Sequence, residues 1–393
     1  MRQFFYTLFL LHFFNDGIRT TLIAMLPFVA KDLHLTFTLV GFLGSSQGFL
    51  ASIFSLPAGF LSGRLGGDRL MLFSLLLYSL GTLGIAASPH VSFLILTFYF
   101  TAAGFGMFHT IGYTLVSRIS EKTRIGKNLG NFTAVGDMGR LVLPTIAMIA
   151  VPFLGWRLTL FFVAIAGIIL YGILQAISRQ KRAALLQNSP VTNESHREWT
   201  AHILFLLKQK KLLLILAAGV IDGLAGNPIY IFLPFLLLQK GVSIAMLGVF
   251  TASYFTGSLF GKSMLGRCTD MFGNANVFVI AEIAMAACLL LLTFSQHFFL
   301  LLGIAFLLGI FTRGTSPVVT TLFSEITHAN HYEKLFGVSE TFLGITAAFA
   351  PTLMGIIADT LGITFVFYTA AILALLATIP IIILARTEKI NPF

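Results

Sequence analysis

Eight ionisable side chains interrupt the long apolar stretches of this 393-residue chain, and they are the residues best suited to chemistry. They are Asp16, Arg19, Asp137, Arg140, Asp222, Glu282, Arg313 and Glu340. A charge facing lipid at the bilayer centre costs about 3 kcal/mol on the lenient insertion scale, so eight would cost about 20 kcal/mol. That cost exceeds the net stability of a typical protein. The eight side chains are therefore expected to face a wet cavity or to pair with one another.

Two of the acids have an arginine three positions later, as Asp16–Arg19 and Asp137–Arg140. This spacing places an acid and a base on the same face of a helix. Two interpretations stay open. The residues form static ion pairs that hold helices together, or they take part in transport, which is the default role of charges inside a membrane.

Proton coupling needs a buried carboxylate that can gain and lose a proton, and four acids are candidates. These candidates are Asp16, Asp222, Asp137 and Glu340. Asp16 is the leading one, because Asp16-Gly17 recurs as Asp222-Gly223 at an offset of 206 positions. Its surroundings must balance burial, which disfavours the charged carboxylate, against nearby arginines, which favour it.

Polar residues within the apolar stretches are the candidates for binding a substrate. They are Arg19, Arg140, Arg313, His109, Tyr113 and Asn15. Arginine suits a carboxylate or phosphonate, because its planar guanidinium matches the geometry of these groups. An uncharged or cationic substrate, with the arginines only neutralising acids, is the open alternative. At His109, a hydrogen-bonded packing role competes with proton relay or substrate contact.

These residues must be positioned by membrane-spanning helices. The chain is 57% hydrophobic and only 10% charged, whereas about a quarter of the residues in an ordinary soluble domain are charged. Apolar stretches of about 20 residues predict twelve transmembrane helices. They are 4–30, 39–63, 70–88, 92–118, 128–154, 157–178, 210–238, 246–265, 276–295, 298–323, 335–358 and 363–385. Barrel strands are much shorter, with roughly 10 alternating residues, so the predicted fold is an all-α membrane protein.

A constant offset of 207 positions relates the two halves. Leu26-Pro27-Phe28 recurs as Leu233-Pro234-Phe235, and Gly155 recurs as Gly362. Glycine and proline set kinks and close approaches of helices, so the repeat indicates a copied backbone. We predict two six-helix bundles related by pseudo-two-fold symmetry, at 1–178 and 210–393, with a cytoplasmic linker at 179–209. Such doubling is typical of a transporter.

The positive charges predict how the chain lies in the membrane. Most of the 25 Lys and Arg residues fall in the loops on the same side as the two termini. The positive-inside rule places that side, and hence both termini, in the cytoplasm. We expect a monomer in the cell (inner) membrane, in contact with the lipid bilayer. This topology explains the net charge of +10, and no nucleic-acid-binding motif is present.

Two loops at equivalent places carry a repeated pattern. The second loop reads Gly266-x-x-x-Asp270-x-x-Gly273, and the first has Gly63 in place of the acid. The pattern resembles the signature loop of the major facilitator superfamily. The resemblance implies two bundles that rock about a central site, with helix nine at the periphery and Glu282 near lipid, an end-of-helix interface or a partner. It also implies that the gating residues are Gly59, Arg64, Gly66, Gly266, Asp270 and Gly273.

Other residues of the first half resemble the fosmidomycin-resistance-type efflux proteins. They are His12-Phe13-Phe14-Asn15-Asp16, Leu22-Ile23-Ala24, Pro27, Leu35-Thr36-Phe37, Gly41, Phe108-His109, Arg124-x-Gly126, Phe132, Gly136, Gly139 and Pro144. The chain departs from that family at Thr110, where the family usually has proline. The resemblance implies proton-coupled efflux of a small amphiphilic or anionic compound by antiport. Import of a small organic anion together with protons is the alternative, and a channel is a less favoured one.

Enzymes and nucleotide-driven pumps are not indicated. The stretch Gly257-Ser258-Leu259-Phe260-Gly261-Lys262-Ser263 is similar to a phosphate-binding loop, but it is one residue short and no strand precedes it. An H-E-x-x-H sequence and a nucleophile elbow are both missing. We therefore expect no enzyme activity, no cofactor and no metal, and the expected partners are protons and a small-molecule substrate.

Overall fold

Helices form nearly all of the described structure, a computed structural model that covers residues 2–121, 124–179, 209–325 and 332–390. It is 93% helix and has no strand within those ranges. In chain order the helices are α1 (Arg2–Asp32), α2 (Phe37–Leu65), α3 (Gly67–Ala86), α4 (Val91–Ile119), α5 (Ile125–Arg179), α6 (Lys210–Gly226), α7 (Ile229–Gln239), α8 (Ile244–Phe272), α9 (Asn274–Phe294), α10 (Phe298–Glu325), α11 (Tyr332–Leu361) and α12 (Ile363–Ile390). The predicted all-α membrane fold is confirmed. Most of the predicted linker, at 180–208, lies outside the described residues.

Two helix boundaries differ from the prediction. The long helix α5 runs through two predicted stretches, but Gly155 within it has φ 72° and ψ 164°, which breaks the right-handed helix. Among the described residues, nine apolar runs are long enough to cross a membrane, and the run within α5 has 50 residues. At 1.5 Å per residue it is about 75 Å long, enough for two crossings. The stretch at 210–238 instead divides into α6 and α7 at Asn227-Pro228, where proline lacks an amide hydrogen.

The backbone repeats the doubling seen in the sequence. The described residues with positive φ are His34, Gly66, Gly155, Gly241, Gly273 and Gly362. They form three pairs at the offset of 207 positions, and each lies between helices or at the break inside α5. Glycine takes up positive φ without the Cβ clash of other residues. The same left-handed junctions therefore separate the helices of both halves.

The described chain forms two compact units, and the first consists of α1–α5 with residues 237–252. Within it, α1 packs along α5, and α4 packs against α2 and α3. A Cβ at Gly139 would collide with the Phe13 carbonyl group, and one at Gly136 would lie 2.6 Å from His12 Nε2 and 2.9 Å from Asp16 Oδ2. These two glycines allow the polar residues of α1 to approach α5.

The second unit contains the remaining described residues of the C-terminal half. Its core joins α6, α9, α10 and α12 through buried side chains such as Ile215, Phe278 and Phe323. At Gly257 and Gly261, an added Cβ would collide with backbone of α10. The glycines of the apparent phosphate-binding loop are therefore packing residues that bring α8 and α10 together.

Candidate functional site

Asp16 lies at the centre of a buried polar cluster in the first unit. The Asp16 side chain is 1% exposed. Its carboxylate oxygens lie 2.7 Å from Arg140 Nη2, 3.2 Å from His109 Nε2 and 3.3 Å from His12 Nε2. These residues come from α1, α4 and α5, and together with Asp137 we call them the Asp16 cluster. The structure thus brings together residues that are more than 120 positions apart in the sequence.

Arg140 connects two carboxylates within the Asp16 cluster. Its Nη1 donates a hydrogen bond to Asp137 Oδ1 at 3.0 Å, while Nη2 reaches Asp16. The predicted pairing of Asp137 with Arg140 along one helix is confirmed. At the other D-x-x-R sequence the guanidinium of Arg19 lies 4.4 Å from the centre of the Phe105 ring, a cation–π distance. Asp16 is paired across helices by Arg140.

The ring of His12 is fixed in one orientation. Its Nδ1 lies 2.8 Å from the carbonyl oxygen of Phe132, and its ring centre is 4.0 Å from that of the Phe132 side chain. A carbonyl oxygen only accepts, so Nδ1 carries a proton and donates it. In the neutral imidazole, Nε2 then presents a lone pair to the Asp16 carboxylate. A hydrogen bond between these two groups needs a further proton, either on the imidazole or on the carboxyl. The fixed ring therefore keeps His12 Nε2 directed at the Asp16 carboxylate.

One side of the Asp16 cluster is open. The side chains of His109 and Arg140 are 23% and 17% exposed, and Tyr113 is exposed with its ring centre 6.3 Å from that of His109. Asn15 is buried, and its amide atoms have no hydrogen-bond partner within the described residues. Asp16 therefore lies behind His109 and Arg140, which are the partly exposed members of the cluster.

A second acidic site lies in the second unit, where Asp222 on α6 is half-buried. Its carboxylate accepts a hydrogen bond from Thr315 Oγ1 on α10 at 3.3 Å. Glu282 on α9 is 0% exposed, and its carboxyl group interacts directly with that of Asp222. We call Asp222 and Glu282 the acid pair. The expectation that Glu282 faces lipid or a partner is wrong, because α9 packs into the core of its unit.

The other predicted site residues are more scattered. Arg313 is half-buried in the second unit, with its guanidinium 6.0 Å from the centre of the Phe255 ring. The side chain of Glu340 lies outside the described side chains, and so do Gly59 and the side chain of Arg64 within α2.

The remaining gating candidates are close to helix ends. Gly66 and Gly273 precede α3 and α9 with φ of 88° and 80°. Asp270 is exposed in the last turn of α8. A Cβ at Gly266 would meet no atom of the described residues within 4 Å. Two of these glycines therefore serve the backbone turn, and their part in gating stays a prediction.

Three residues of these sites were not among the predicted site residues. They are His12, Glu282 and Thr315. The signal for His12 was available, because it lies four positions before Asp16 and hence on the same helix face. Thr315 and Glu282 contact Asp222 from other helices, and no local spacing reveals such contacts.

The chemistry of the Asp16 cluster suits protons. Ligand atoms of His12, Asp16 and His109 lie within 4.8 Å of one another, close enough for a metal ion. However, Arg140 places a permanent positive charge 2.7 Å from the same carboxylate, and that charge repels a metal cation. Imidazole and carboxylate side chains can instead exchange a proton within this geometry. The arginine can also bind an anion once its carboxylates are neutralised.

Relatives with known names are transporters. The chain is 24% identical to the hexuronate transporter of Bacillus subtilis, in a match that covers 98% of this chain and 96% of that protein. It is 23% identical to the cis,cis-muconate transport protein of Acinetobacter baylyi, over 87% of this chain and 84% of that protein. Shorter matches span 34% of the uncharacterized MFS-type transporter YfnC of Bacillus subtilis and 38% of the class H tetracycline resistance protein of Pasteurella multocida, at 25% and 27% identity.

Solved structures share the fold. A POT family transporter in complex with 5-aminolevulinic acid superposes with a TM-score of 0.77 and 15% identity, covering 99% of this chain and 97% of that one. Residues 8–236 and 215–392 both match the Major Facilitator Superfamily, and together these matches span nearly the whole chain. The chain therefore belongs to the major facilitator superfamily and is a multi-pass membrane transporter.

Proposed function

We propose that this chain is a proton-coupled transporter of a small organic anion or amphiphile, with Asp16 as the coupling carboxylate. The observation that supports this proposal best is the Asp16 cluster itself. A fully buried carboxylate contacts one arginine and two histidines, and the arginine and one histidine are partly exposed. Proton exchange through His109 would reach Asp16 without exposing the carboxylate.

Arg140 would link the proton to the substrate. While Asp16 is ionised, Arg140 is held by Asp16 and Asp137. Protonation of Asp16 removes one of these attractions and leaves guanidinium hydrogens available to an anionic substrate. Such coupling makes the proton and an anion bind together, whereas a cationic or neutral amphiphile would compete with the proton for the cluster.

The direction of transport depends on whether the substrate binds together with the proton or competes with it. Efflux by antiport is supported by the resemblance to fosmidomycin-resistance-type proteins and by the partial match to a tetracycline resistance protein. Import of an organic anion with protons is supported by the two nearly full-length matches, whose names specify hexuronate and muconate. Acidifying the lumen of loaded proteoliposomes and following the substrate distinguishes the two: antiport drives the substrate inward, and symport drives it outward.

The remaining predictions complete the proposal. Residues 1–178 and 210–393 would act as the two bundles of an alternating-access monomer in the inner membrane, with both termini in the cytoplasm and the linker at 179–209 between them. The gate would be formed by Gly59, Arg64, Gly66, Gly266, Asp270 and Gly273. Asp137 and Glu340 would assist proton coupling, and Arg19, Arg313, Tyr113 and Asn15 would contribute to substrate binding.

The test compares Asp16→Asn with the wild type in proteoliposomes, using tetracycline, a hexuronate and muconate as probe compounds. We expect the variant to lose proton-driven transport by at least about tenfold. Exchange of internal for external substrate should persist, because exchange needs no net proton movement. Asp359→Asn, a matched change at an exposed residue of α11, is the control. Proton-driven transport at the wild-type rate in Asp16→Asn would reject the proposal.

Anion binding is tested separately with Arg140→Gln and Arg313→Gln. If Arg140 binds an anionic probe, its replacement should weaken competition by that probe about tenfold or more, since charged hydrogen bonds contribute about 1.5–3 kcal/mol. An unchanged affinity for the anion in both variants would reject an arginine-based anion site. An unchanged affinity in Arg313→Gln alone would limit the site to the first unit.

A further inference from the structure

Glu282 is a buried acid without a hydrogen-bond donor among the described residues. Its side chain is 0% exposed, and neither carboxylate oxygen accepts a hydrogen bond from those residues. An ionised carboxylate removed from water needs a counter-charge or several donors to be stable. Among the described residues the Glu282 side chain has neither a salt-bridge partner nor a donor, so an ionised state is strongly disfavoured unless something else is bound there.

The surroundings of Glu282 contain a second acid and a hydroxyl group. Asp222 on α6 contacts the Glu282 carboxyl, and Thr315 on α10 donates to Asp222. The helix α12 contributes apolar residues such as Ala377 to the same core. On α10 the guanidinium of Arg313 lies beside the Phe255 ring of α8. On α11, Glu340 is the ionisable residue away from the ends of the helix, and its side chain lies outside the described side chains.

We propose that Asp222 and Glu282 share one proton and form a second proton-binding site in the C-terminal half. Two adjacent buried carboxylates cannot both ionise without strong repulsion. One proton between them leaves a single charge and provides the donor that Glu282 lacks. Its role in transport rests on the function proposed above, whereas the shared proton itself does not.

Asp222 provides the path for exchange, because it is half-buried while Glu282 is fully buried. A proton from water would first bind the Asp222 carboxylate. It would then pass along the hydrogen bond to Glu282, with the O–H bond of one acid breaking as that of the other forms. Because Glu282 is fully buried, the pair would exchange its proton with water through Asp222.

The first test is infrared difference spectroscopy on the purified full-length protein between neutral and alkaline pH. Wild type should show a protonated-carboxyl C=O band that disappears as the pH rises. Glu282→Gln should remove most of that band, and Asp222→Asn should change its frequency and pH dependence because Glu282 then holds the proton alone. Asp16→Asn and Asp359→Asn should leave the band unchanged. An unchanged band in both Glu282→Gln and Asp222→Asn would overturn the shared proton, whereas the two expected changes would support it even if no proton-driven transport is found.

The second test uses thermal stability, and it separates the shared proton from a bound metal cation. Glutamine at position 282 can donate permanently to Asp222, so Glu282→Gln should keep its Tm as the pH rises. Wild type should lose about 2–4 °C more than this variant over the same rise, because its proton leaves and the two charges repel. Identical pH dependence would overturn the proposal. So would a Tm that rises with sodium chloride but not with choline chloride, because the pair would then bind sodium.

Discussion

Asp16 and Asp222 occupy nearly equivalent places in the two halves, yet their neighbours have opposite chemistry. Asp16 is contacted by an arginine and two histidines, whereas Asp222 is contacted by another acid and a hydroxyl. The glycine after each acid packs in a similar way, Gly17 against α5 and Gly223 against α11. Duplication has therefore kept the backbone around the acids, while the side chains that contact them have diverged.

The difference shows which parts of a doubled transporter are free to change. Glycine and proline positions determine how closely helices approach, so replacing one of them disturbs a whole helix pair. A charged partner can be replaced if its counter-charge is replaced with it. Two buried acidic sites with different partners can thus arise from one copied backbone. Three substitutions test that contrast.

The largest effect is expected for Arg140→Gln. It leaves buried Asp16 and Asp137 without their shared guanidinium, and breaking a buried pair in this way costs about 3–5 kcal/mol of unfolding free energy. Arg313→Gln removes a distant ring contact, at 6.0 Å, from the described residues and should cost less than about 1 kcal/mol. Unfolding of both variants in the same detergent is the measurement. Equal losses would mean that the two halves depend on their arginines alike.

A double variant sharpens this result. Asp16→Asn removes the carboxylate that Arg140→Gln leaves behind, so the pair of substitutions should be less damaging than the sum of the two singles. Contacting charges typically show such coupling at about 0.5–3 kcal/mol. Additive losses would contradict a direct ion pair between Asp16 and Arg140.

An intermediate effect is expected for Gly139→Ala. Its new methyl group would collide with the carbonyl group of Phe13 and push α1 away from α5, at a cost of about 1–3 kcal/mol. Gly344→Ala makes the same change in α11, where a Cβ would meet no described atom within 4 Å. This control should be neutral or stabilising by up to about 1 kcal/mol. Thermal unfolding of both variants compares the two, and a Gly139→Ala protein as stable as wild type would show that α1 and α5 can separate freely.

The smallest effect is expected for Thr315→Val, which removes the donor to Asp222. A hydrogen bond to a neutral or proton-sharing carboxyl contributes about 0.5–1.5 kcal/mol, whereas a bond to a fully charged group contributes about 1.5–3 kcal/mol. The long distance of 3.3 Å favours the lower range. Thr321→Val, at an exposed residue on the same helix, is the matched control. Denaturant unfolding that shows a loss above about 2 kcal/mol would indicate that Asp222 is ionised and held by Thr315.

The sequence predicts the architecture well because several independent features of the chain indicate the same fold. Apolar length, the offset of 207 positions and the loop pattern each point to the same doubled helical fold, and the structure and the family match confirm that fold. Local spacing also predicts the Asp137–Arg140 contact, since residues three positions apart face each other on one helix.

The sites are less predictable because their contacts join distant helices. The spacing of Asp16 and Arg19 suggests a pair, but Gly136 and Gly139 bring α5 close enough for Arg140 to reach Asp16. Glu282 was expected at the periphery because the family resemblance implies an outer position for helix nine, and a helix's position does not show which of its faces is covered. Only the packing of α9 into its unit places this acid beside Asp222.

The paired left-handed junctions also determine how the protein fits a bilayer. His34 and Gly66 enclose α2, Gly241 and Gly273 enclose α8, and both helices have 29 residues. At 1.5 Å per residue each is about 44 Å long, well beyond the hydrocarbon thickness of about 30 Å. Helices longer than the hydrocarbon layer tilt or extend into the headgroups. A change in lipid chain length alters the difference between helix length and hydrocarbon thickness. Because the two lengths are equal, thinner or thicker membranes would strain these two helices equally.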